Sequence, residues 1–360
     1  MKLPIAIVGI GNCASAFLQG LTLYIEDENK HAGLMHREIA GISCADIEVV
    51  AVFDIDKRKV GKTLREAVFS KPNCVNNFSA GDIPSGETVV MMGPILDGCA
   101  PHMDEFDEDK AFRPSNELPV NVTAVLKESG AQVLVCYLPV GSDNAAKYYA
   151  QACIDAKVAM VNCLPSFIAS DPVWEQKFKQ AGIPIIGDDI KSQLGATIIH
   201  RTLTKLFNDR GIRLTKSYQL NTGGNTDFLN MLAKDRLKSK KISKTNSVVS
   251  QYDRELSDEN IHIGPSDYIP WQKDNKICFL RMEGEGFADQ PIEIEMRLSV
   301  QDSPNSAGIV IDAIRCAFLA KKLGRSGALD EACCWFMKSP PKQIADSQAK
   351  DLLEKFISEN

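Results

Sequence analysis

Residues 4–14 read Pro4-Ile5-Ala6-Ile7-Val8-Gly9-Ile10-Gly11-Asn12-Cys13-Ala14, a short apolar run that stops on two closely spaced glycines. Ala16, Phe17, Leu18 and Leu21 then recur at helical spacing, so the stretch reads as strand, tight turn and helix. In this G-x-G-x-x-A form Gly9 makes the turn, Gly11 lets backbone approach a pyrophosphate, and Ala14 permits close helix packing. The helix N-terminus then faces the anion. The next apolar strand ends at Asp54, a carboxylate placed to accept hydrogen bonds from an adenosine ribose and to repel a 2′-phosphate, which favours NAD over NADP. Gly11 to Asp54 exceeds the usual spacing of about 20 residues. The polar stretch 26–44, with Glu26, Asp27, Glu28, Asn29 and Lys30, explains this as an inserted loop. The competing reading is a plain glycine turn with an acid at a strand end.

Further short apolar runs at 89–92, 133–137, 158–161 and 183–186 alternate with helical patterns such as 145–156, which means a parallel sheet covered on both faces. Near residue 200 the character changes. An alternating strand around 216–220, a lysine-rich helix and two long alternating runs, 277–283 and 292–300, predict an antiparallel sheet. In Asp302-Ser303-Pro304-Asn305-Ser306-Ala307-Gly308, Ser303 is placed to cap a helix with Pro304 in its first turn, and this helix returns to the first domain. Residues 345–360 read as a polar surface helix or a frayed tail. The expected fold is α/β, a Rossmann-type doubly wound parallel sheet with an inserted α+β catalytic and oligomerisation domain. At 360 residues the chain exceeds one ordinary core, and the boundaries fall at 1–200, 201–302 and 303–360.

A 44% hydrophobic and 24% charged composition is that of a soluble globular protein. The net charge of -6 argues against nucleic acid as a partner, and no run reaches membrane-spanning length. Eleven cysteines without C-x-x-C spacing indicate a reducing, cytoplasmic setting; Cys136 and Cys163 read as packing rather than as nucleophiles. Five histidines lack metal-ligand spacing, so no structural zinc is expected.

Chemistry concentrates in Leu237-Lys238-Ser239-Lys240-Lys241-Ile242-Ser243-Lys244-Thr245. On a helix Lys240 and Lys244 stack on one face, and like charges four apart repel. The pair is therefore either a solvated face or a clamp for an anion. Lys238 and Lys241 read as exposed. Gly187-Asp188-Asp189-Ile190-Lys191-Ser192-Gln193 stands ahead of a second helix where a phosphate could dock.

Those two stretches, with Leu220-Asn221-Thr222-Gly223-Gly224-Asn225-Thr226-Asp227 and Met337-Lys338-Ser339-Pro340, together resemble the myo-inositol-1-phosphate synthase family. The likeness runs from the glycine turn to about residue 341. The chain length, Ile261-His262-Ile263-Gly264-Pro265-Ser266-Asp267-Tyr268 and the 302–308 segment look like its compact bacterial branch. The richer Gly/Asn turn of the longer eukaryotic members is absent.

The resemblance implies conversion of glucose 6-phosphate to inositol phosphate without net redox change. C5 is oxidised with bound NAD+, C6 loses a proton, the C6 enolate attacks the C1 aldehyde, and C5 is reduced again. Phosphate, enolate and alkoxide all call for fixed positive charge in a water-poor pocket. Family correspondence gives Lys240 and Lys338 proton transfer at the C5 oxygen, and Lys276 with Lys338 stabilisation of the C1 oxygen. Lys244 holds the phosphate with Ser192, Gln193 and Thr197. Asp189, Asn221, Asn225, Asp227 and Asp302 orient sugar hydroxyls, lysines and the nicotinamide end; for Asn225 and Asp227 a turn-and-cap role beside Gly223-Gly224 is the alternative. The cofactor set is Gly9, Gly11, Asn12, Cys13, Ala14, Ser15, Asp54 and Asp189. The family is typically a homotetramer, and some members use a divalent or monovalent cation, for which this sequence offers only oxygen ligands such as Asp302. Two other readings stay open, an NAD-dependent sugar-phosphate dehydrogenase and a catalytically silent NAD-binding protein.

Overall fold

The computed structural model describes residues 1–27, 29–79, 82–254 and 256–359; Glu28 of the polar stretch and Asn360 of the tail lie outside, as do the side chains of Asp235, Pro265 and Ser266. In chain order the first part runs β1 (Leu3–Val8), α1 (Asn12–Glu26), β2 (Ile47–Asp54), α2 (Leu64–Ala67), β3 (Val90–Met92), α3 (Val122–Glu128), β4 (Val133–Cys136), α4 (Asp143–Ala156), β5 (Ala159–Asn162), α5 (Pro172–Ala181) and β6 (Pro184–Ile186). Next come α6 (Ala196–Asp209), β7 (Arg213–Gly223), α7 (Thr226–Asn230), α8 (Lys238–Val249), β8 (Ile261–Tyr268), β9 (Asn275–Glu285) and β10 (Pro291–Gln301). The chain closes with α9 (Asp302–Lys322), β11 (Gly327–Ala328), α10 (Asp330–Phe336) and α11 (Asp346–Ser358).

Among the described residues seven parallel strands form one sheet in the order β11-β6-β5-β4-β1-β2-β3. Both faces are covered, as parallel strands require. Leu3, Ile5 and Ile7 point to the side where α1, α9 and α10 pack, while Ala6 and Val8 meet α3 and α4 on the other. The order reverses between β1 and β4, and in such sheets ligands bind in the crevice beyond the carboxyl ends of the strands at that point. Gly9 follows β1 directly and Tyr137 follows β4, so both stand at this crevice.

The second sheet has the order β10-β9-β7-β8. β9 pairs antiparallel with β7 and β10, but β7 and β8 run parallel. The sheet is therefore mixed, where alternation alone predicted an antiparallel one. Alternation reports which face is buried and carries no information on strand direction. Leu214, Cys278, Leu280 and Met282 bury one face against Ala196 and Phe207 of α6.

One detail departs from expectation at α9. Ser303 is not its N-cap; the helix starts at Asp302, and Asp274 caps it from outside, accepting from the Ser303 amide at 3.0 Å and the Ser303 hydroxyl at 2.7 Å. α9 does pack into the first sheet, with Val310, Ile311, Ile314 and Ala317 in the same core as β1. The chain end is also no frayed tail: Ala349, Leu353 and Phe356 of α11 form a buried stripe. The loop after α1 is tied down by Arg315, fully buried on α9, which donates to the carbonyls of His36, Arg37 and Ile42 and pairs with Asp312.

Candidate active site

The glycine turn builds one end of a cleft. Gly9 has φ +88°, and a Cβ there would meet the Tyr137 carbonyl oxygen at 2.8 Å, so only glycine fits without strain. A Cβ on Gly11 would meet nothing within 4 Å, which leaves its backbone open to a ligand. Asn12 and Cys13 border the cleft. Ala14 and Ser15 do not; both are buried in α1, Ser15 accepting from Gln19. Asp54 reaches the cleft, but its carboxylate already accepts from the amides of Ile10 at 2.6 Å, Ile55 at 2.7 Å and Asp56 at 2.8 Å. A carboxylate has about four acceptor positions, so little is left for a ribose.

Beneath the turn lies a residue the motif does not announce. Lys59, 3% exposed, donates to the Ile10 carbonyl at 2.5 Å and to Asn73 at 3.0 Å. Burial pulls its pKa down, against the pull of Asp54 and Asp56. Cys13 sits in the opposite field: burial, then Asp274, Asp302 and Asp227, push its thiol up to about 12, so it is no nucleophile at neutral pH.

At the other end four lysines from three separate segments meet. Lys240 and Lys244 come from α8, Lys276 from β9 and Lys338 from the loop after α10, and all four border the cleft. Three have partners: Lys240 pairs with Asp227 at 3.0 Å, Lys276 with Asp302 at 3.1 Å and Lys338 with Asp189 at 2.7 Å. Lys244, 7% exposed, forms no ion pair or hydrogen bond among the described residues. Burial and then the charges of Lys240, Lys276 and Lys338 drive its pKa well below the ordinary lysine value, with Asp189 opposing. Burial also pulls on Lys276, but Asp302 and Asp227 outweigh it and the net shift is upward. For Asp227 burial acts upward and is outweighed by Lys240, Lys276 and Lys244, which leave it lowered.

Asp189 is the joint of this end. Its backbone is left-handed, φ +63°, held between the Leu164 carbonyl and the Lys338 amide at 3.1 and 2.7 Å. One carboxylate oxygen takes Lys338, the other the Ser243 hydroxyl at 2.6 Å. Lys238 and Lys241, by contrast, are exposed on α8.

Ser192 and Thr197 border the cleft beside these lysines. Gln193 does not: its side-chain amide donates to the Gly33 carbonyl of the inserted loop, and its own amide goes to Asn305. Asn221 is 1% exposed and does not border the cleft; its side-chain oxygen accepts from Gln219 at 3.3 Å and its nitrogen has no partner among the described residues, while Gln219 borders the cleft instead. Asn225 caps α7, accepting from the Asp227 and Phe228 amides at 3.0 and 3.2 Å, and donates to Asp274 at 2.9 Å. The turn-and-cap alternative thus holds for Asn225, while Asp227 serves Lys240. Asp274 itself escaped sequence reading. Burial, then the neighbouring Asp302, push it up to about 6.

A doubly wound α/β sheet whose switch-point crevice faces four lysines, two on α8, one on β9 of the mixed sheet and one on the loop after α10, is an architecture suited to a small anionic substrate. The family model for myo-inositol-1-phosphate synthase matches residues 195–303. An inositol-3-phosphate synthase from Mycolicibacterium smegmatis is 51% identical over 99% of this chain and 98% of its own length, and one from Corynebacterium glutamicum is 48% identical with 99% and 98% covered. The solved structure of Ari2 superposes with a TM-score of 0.79 at 33% identity, covering 100% and 99% of the two chains. The chain belongs to the inositol-3-phosphate synthase family.

Proposed function

We propose that this chain converts D-glucose 6-phosphate to 1D-myo-inositol 3-phosphate, an intramolecular cyclisation with no net redox change. The observation that carries the reading is Lys244, a buried lysine with no ion pair or hydrogen bond among the described residues, set among three paired lysines opposite the glycine turn; burial and those lysines pull its pKa well down. A buried unpaired cation is costly, and a substrate phosphate would supply its missing counter-charge.

NAD fits the other end. The open backbone at Gly11 and the buried, unpartnered hydroxyl of Tyr137 both border the cleft. Gly9, Gly11, Asn12 and Cys13 would hold the pyrophosphate side, and Asp189 would face the nicotinamide end. When bound, NAD supplies reversible hydride acceptance at C5. The chain does the rest. Lys338, oriented by Asp189, and Lys240, oriented by Asp227, move the proton at the C5 oxygen. Lys276, oriented by Asp302, joins Lys338 in stabilising negative charge on the C1 oxygen as the ring closes. Lys244, Ser192 and Thr197 hold the phosphate at the start of α6, where helix amides favour an anion.

The same reading assigns residues 1–200 to the cofactor, 201–302 to catalysis and assembly, and 303–360 to the return into the first sheet. A homotetramer built on the second sheet is supported by β10, an 11-residue strand at its edge. A divalent or monovalent cation would take most of its ligands from substrate and water, since no three His, Cys, Asp or Glu side chains gather into a metal-binding group among the described residues. Turnover before and after chelation tests that need. No described helix is long and apolar enough to cross a membrane, and the cysteines are free thiols, which supports a cytoplasmic setting.

The test is incubation with glucose 6-phosphate and NAD+, assaying inositol phosphate while following NADH absorbance. Cyclised product without NADH release is expected. Steady NADH release without cyclised product would favour a dehydrogenase, and neither signal would favour a silent binding protein.

A further inference from the structure

Two of the three lysine-bearing segments, α8 and the loop after α10, lie far apart in sequence, and one buried side chain on α6, outside the cleft, bonds to the first and reaches the second through Gln343. Arg201 lies on α6 four residues after Thr197, hence on the same helical face, and is 1% exposed. Its Nε and Nη2 donate to the two carboxylate oxygens of Asp346 at 3.0 and 3.1 Å, and Nη2 also reaches the Ile344 carbonyl at 3.0 Å. Nη1 donates to the Ser247 carbonyl and hydroxyl on α8 and to Gln343 Oε1 at 3.1 Å. Gln343 in turn donates through Nε2 to the carbonyl of Lys338 at 2.7 Å.

Ser247 continues the α8 face that carries Lys240 and Lys244, at spacings of four and three. The fork therefore joins the helix bearing two lysines to the loop bearing a third, with α6 as the common anchor. Its five donors are all engaged, a geometry that an ammonium cannot reproduce. Asp346 also holds Lys191 at 3.0 Å, so the negative partner of the hub is itself pinned from two sides.

We propose that Arg201 is a positioning residue, fixing the separation between the α8 lysines and Lys338 through Ser247 and Gln343. The inference rests on the cyclase reading, because it matters only if those lysines act on one substrate. A displacement of about 1 Å between reacting groups can cost about 100-fold in rate, so a hub that touches no substrate can still set turnover.

The test uses the full chain with Gln343→Leu, Arg201→Lys and Arg201→Met, measuring kcat, KM for glucose 6-phosphate, NADH binding by fluorescence and thermal midpoint. Gln343→Leu cuts the arm to Lys338 and leaves the Arg201–Asp346 pair in place. It should lower kcat about 10-fold while KM stays within about twofold and the midpoint and NADH binding hold. Arg201→Lys keeps the charge beside Asp346 yet should still lose about 10-fold or more in kcat, and Arg201→Met about 100-fold. Where Arg201→Met fails to fold, Gln343→Leu decides. Wild-type kcat in Gln343→Leu, or losses in kcat that track the midpoint across the series, would overturn the positioning role. Absence of cyclised product from the wild type would instead remove the cyclase reading, and this inference with it.

Discussion

The two ends of the cleft recognise their ligands by opposite means. At the glycine turn the ligand would meet backbone, and the nearby charges are already spent: Asp54 on three amides, Lys59 on a carbonyl and Asn73. At the lysine end side chains line the cleft and positive groups outnumber their partners: Lys240, Lys276 and Lys338 are paired with Asp227, Asp302 and Asp189, and Lys244 beside them has its pKa pulled well down by burial and by the other three. On the proposed reading the turn end would meet its cofactor mainly through backbone. The other end would draw the counter-charge for Lys244 from the substrate phosphate, so substrate affinity and catalysis would share one set of charges there.

That contrast is broken most severely by Lys338→Ala or Lys240→Ala, each expected to cut turnover at least about 1,000-fold while NADH fluorescence shows cofactor still bound. Gly9→Ala should invert the pattern. Its Cβ would press on the Tyr137 carbonyl at a φ of +88°, so NADH affinity should fall about 10-fold or more while phosphate still protects the lysine end against unfolding. Lys244→Met is expected to weaken inorganic phosphate binding about 10-fold yet raise the thermal midpoint by about 2 °C or more, because it removes a buried amine with no counter-charge among the described residues, whose burial either strains a charge or costs it its proton; an unchanged or lower midpoint would contradict that cost.

A smaller effect is the pH dependence. Lys244 has a folded pKa lowered from the ordinary lysine value of 10.5, so between the lowered value and 10.5 the free enzyme holds fewer protons than the unfolded chain and its stability rises with pH. Phosphate favours the charged form, so binding takes up a proton and affinity should fall as pH rises through that same window. Titration calorimetry in two buffers of different ionisation enthalpy checks the proton uptake, which Lys244→Met should abolish.

How much of this was legible follows the same division. The glycine turn lies in contiguous residues, Gly9 to Cys13, and its geometry is local, so the motif read with its flanking strand and helix placed it at one end of the cleft. Asp54 does border the cleft, as a strand-end acid in this motif is expected to, but three backbone amides already take most of its acceptor positions, which no sequence pattern announces. The lysine end is assembled from residues around 189, 240–244, 276 and 338; the i, i+4 pair in α8 and the 187–193 stretch ahead of a helix carried local signals, and Lys276 and Lys338 came from resemblance. Gln193 was lost to the inserted loop, whose path no local pattern specifies. Asp274 and Arg201 act across long sequence separations on partners that no spacing rule connects. The α11 stripe, Ala349-Leu353-Phe356, was present in the sequence at helical spacing and outweighs the polar composition that suggested a tail.

The central claim is that one sugar phosphate spans both ends, oxidised beside the turn and closed into a ring among the lysines before anything is released. Glucose 6-phosphate carrying deuterium at C5, turned over with NAD+ in unlabelled water, tests this most directly. The account predicts inositol phosphate that keeps the label on the corresponding carbon, with no accumulation of NADH. Loss of that label, or deuterated NADH appearing in solution at the rate of turnover, would contradict it.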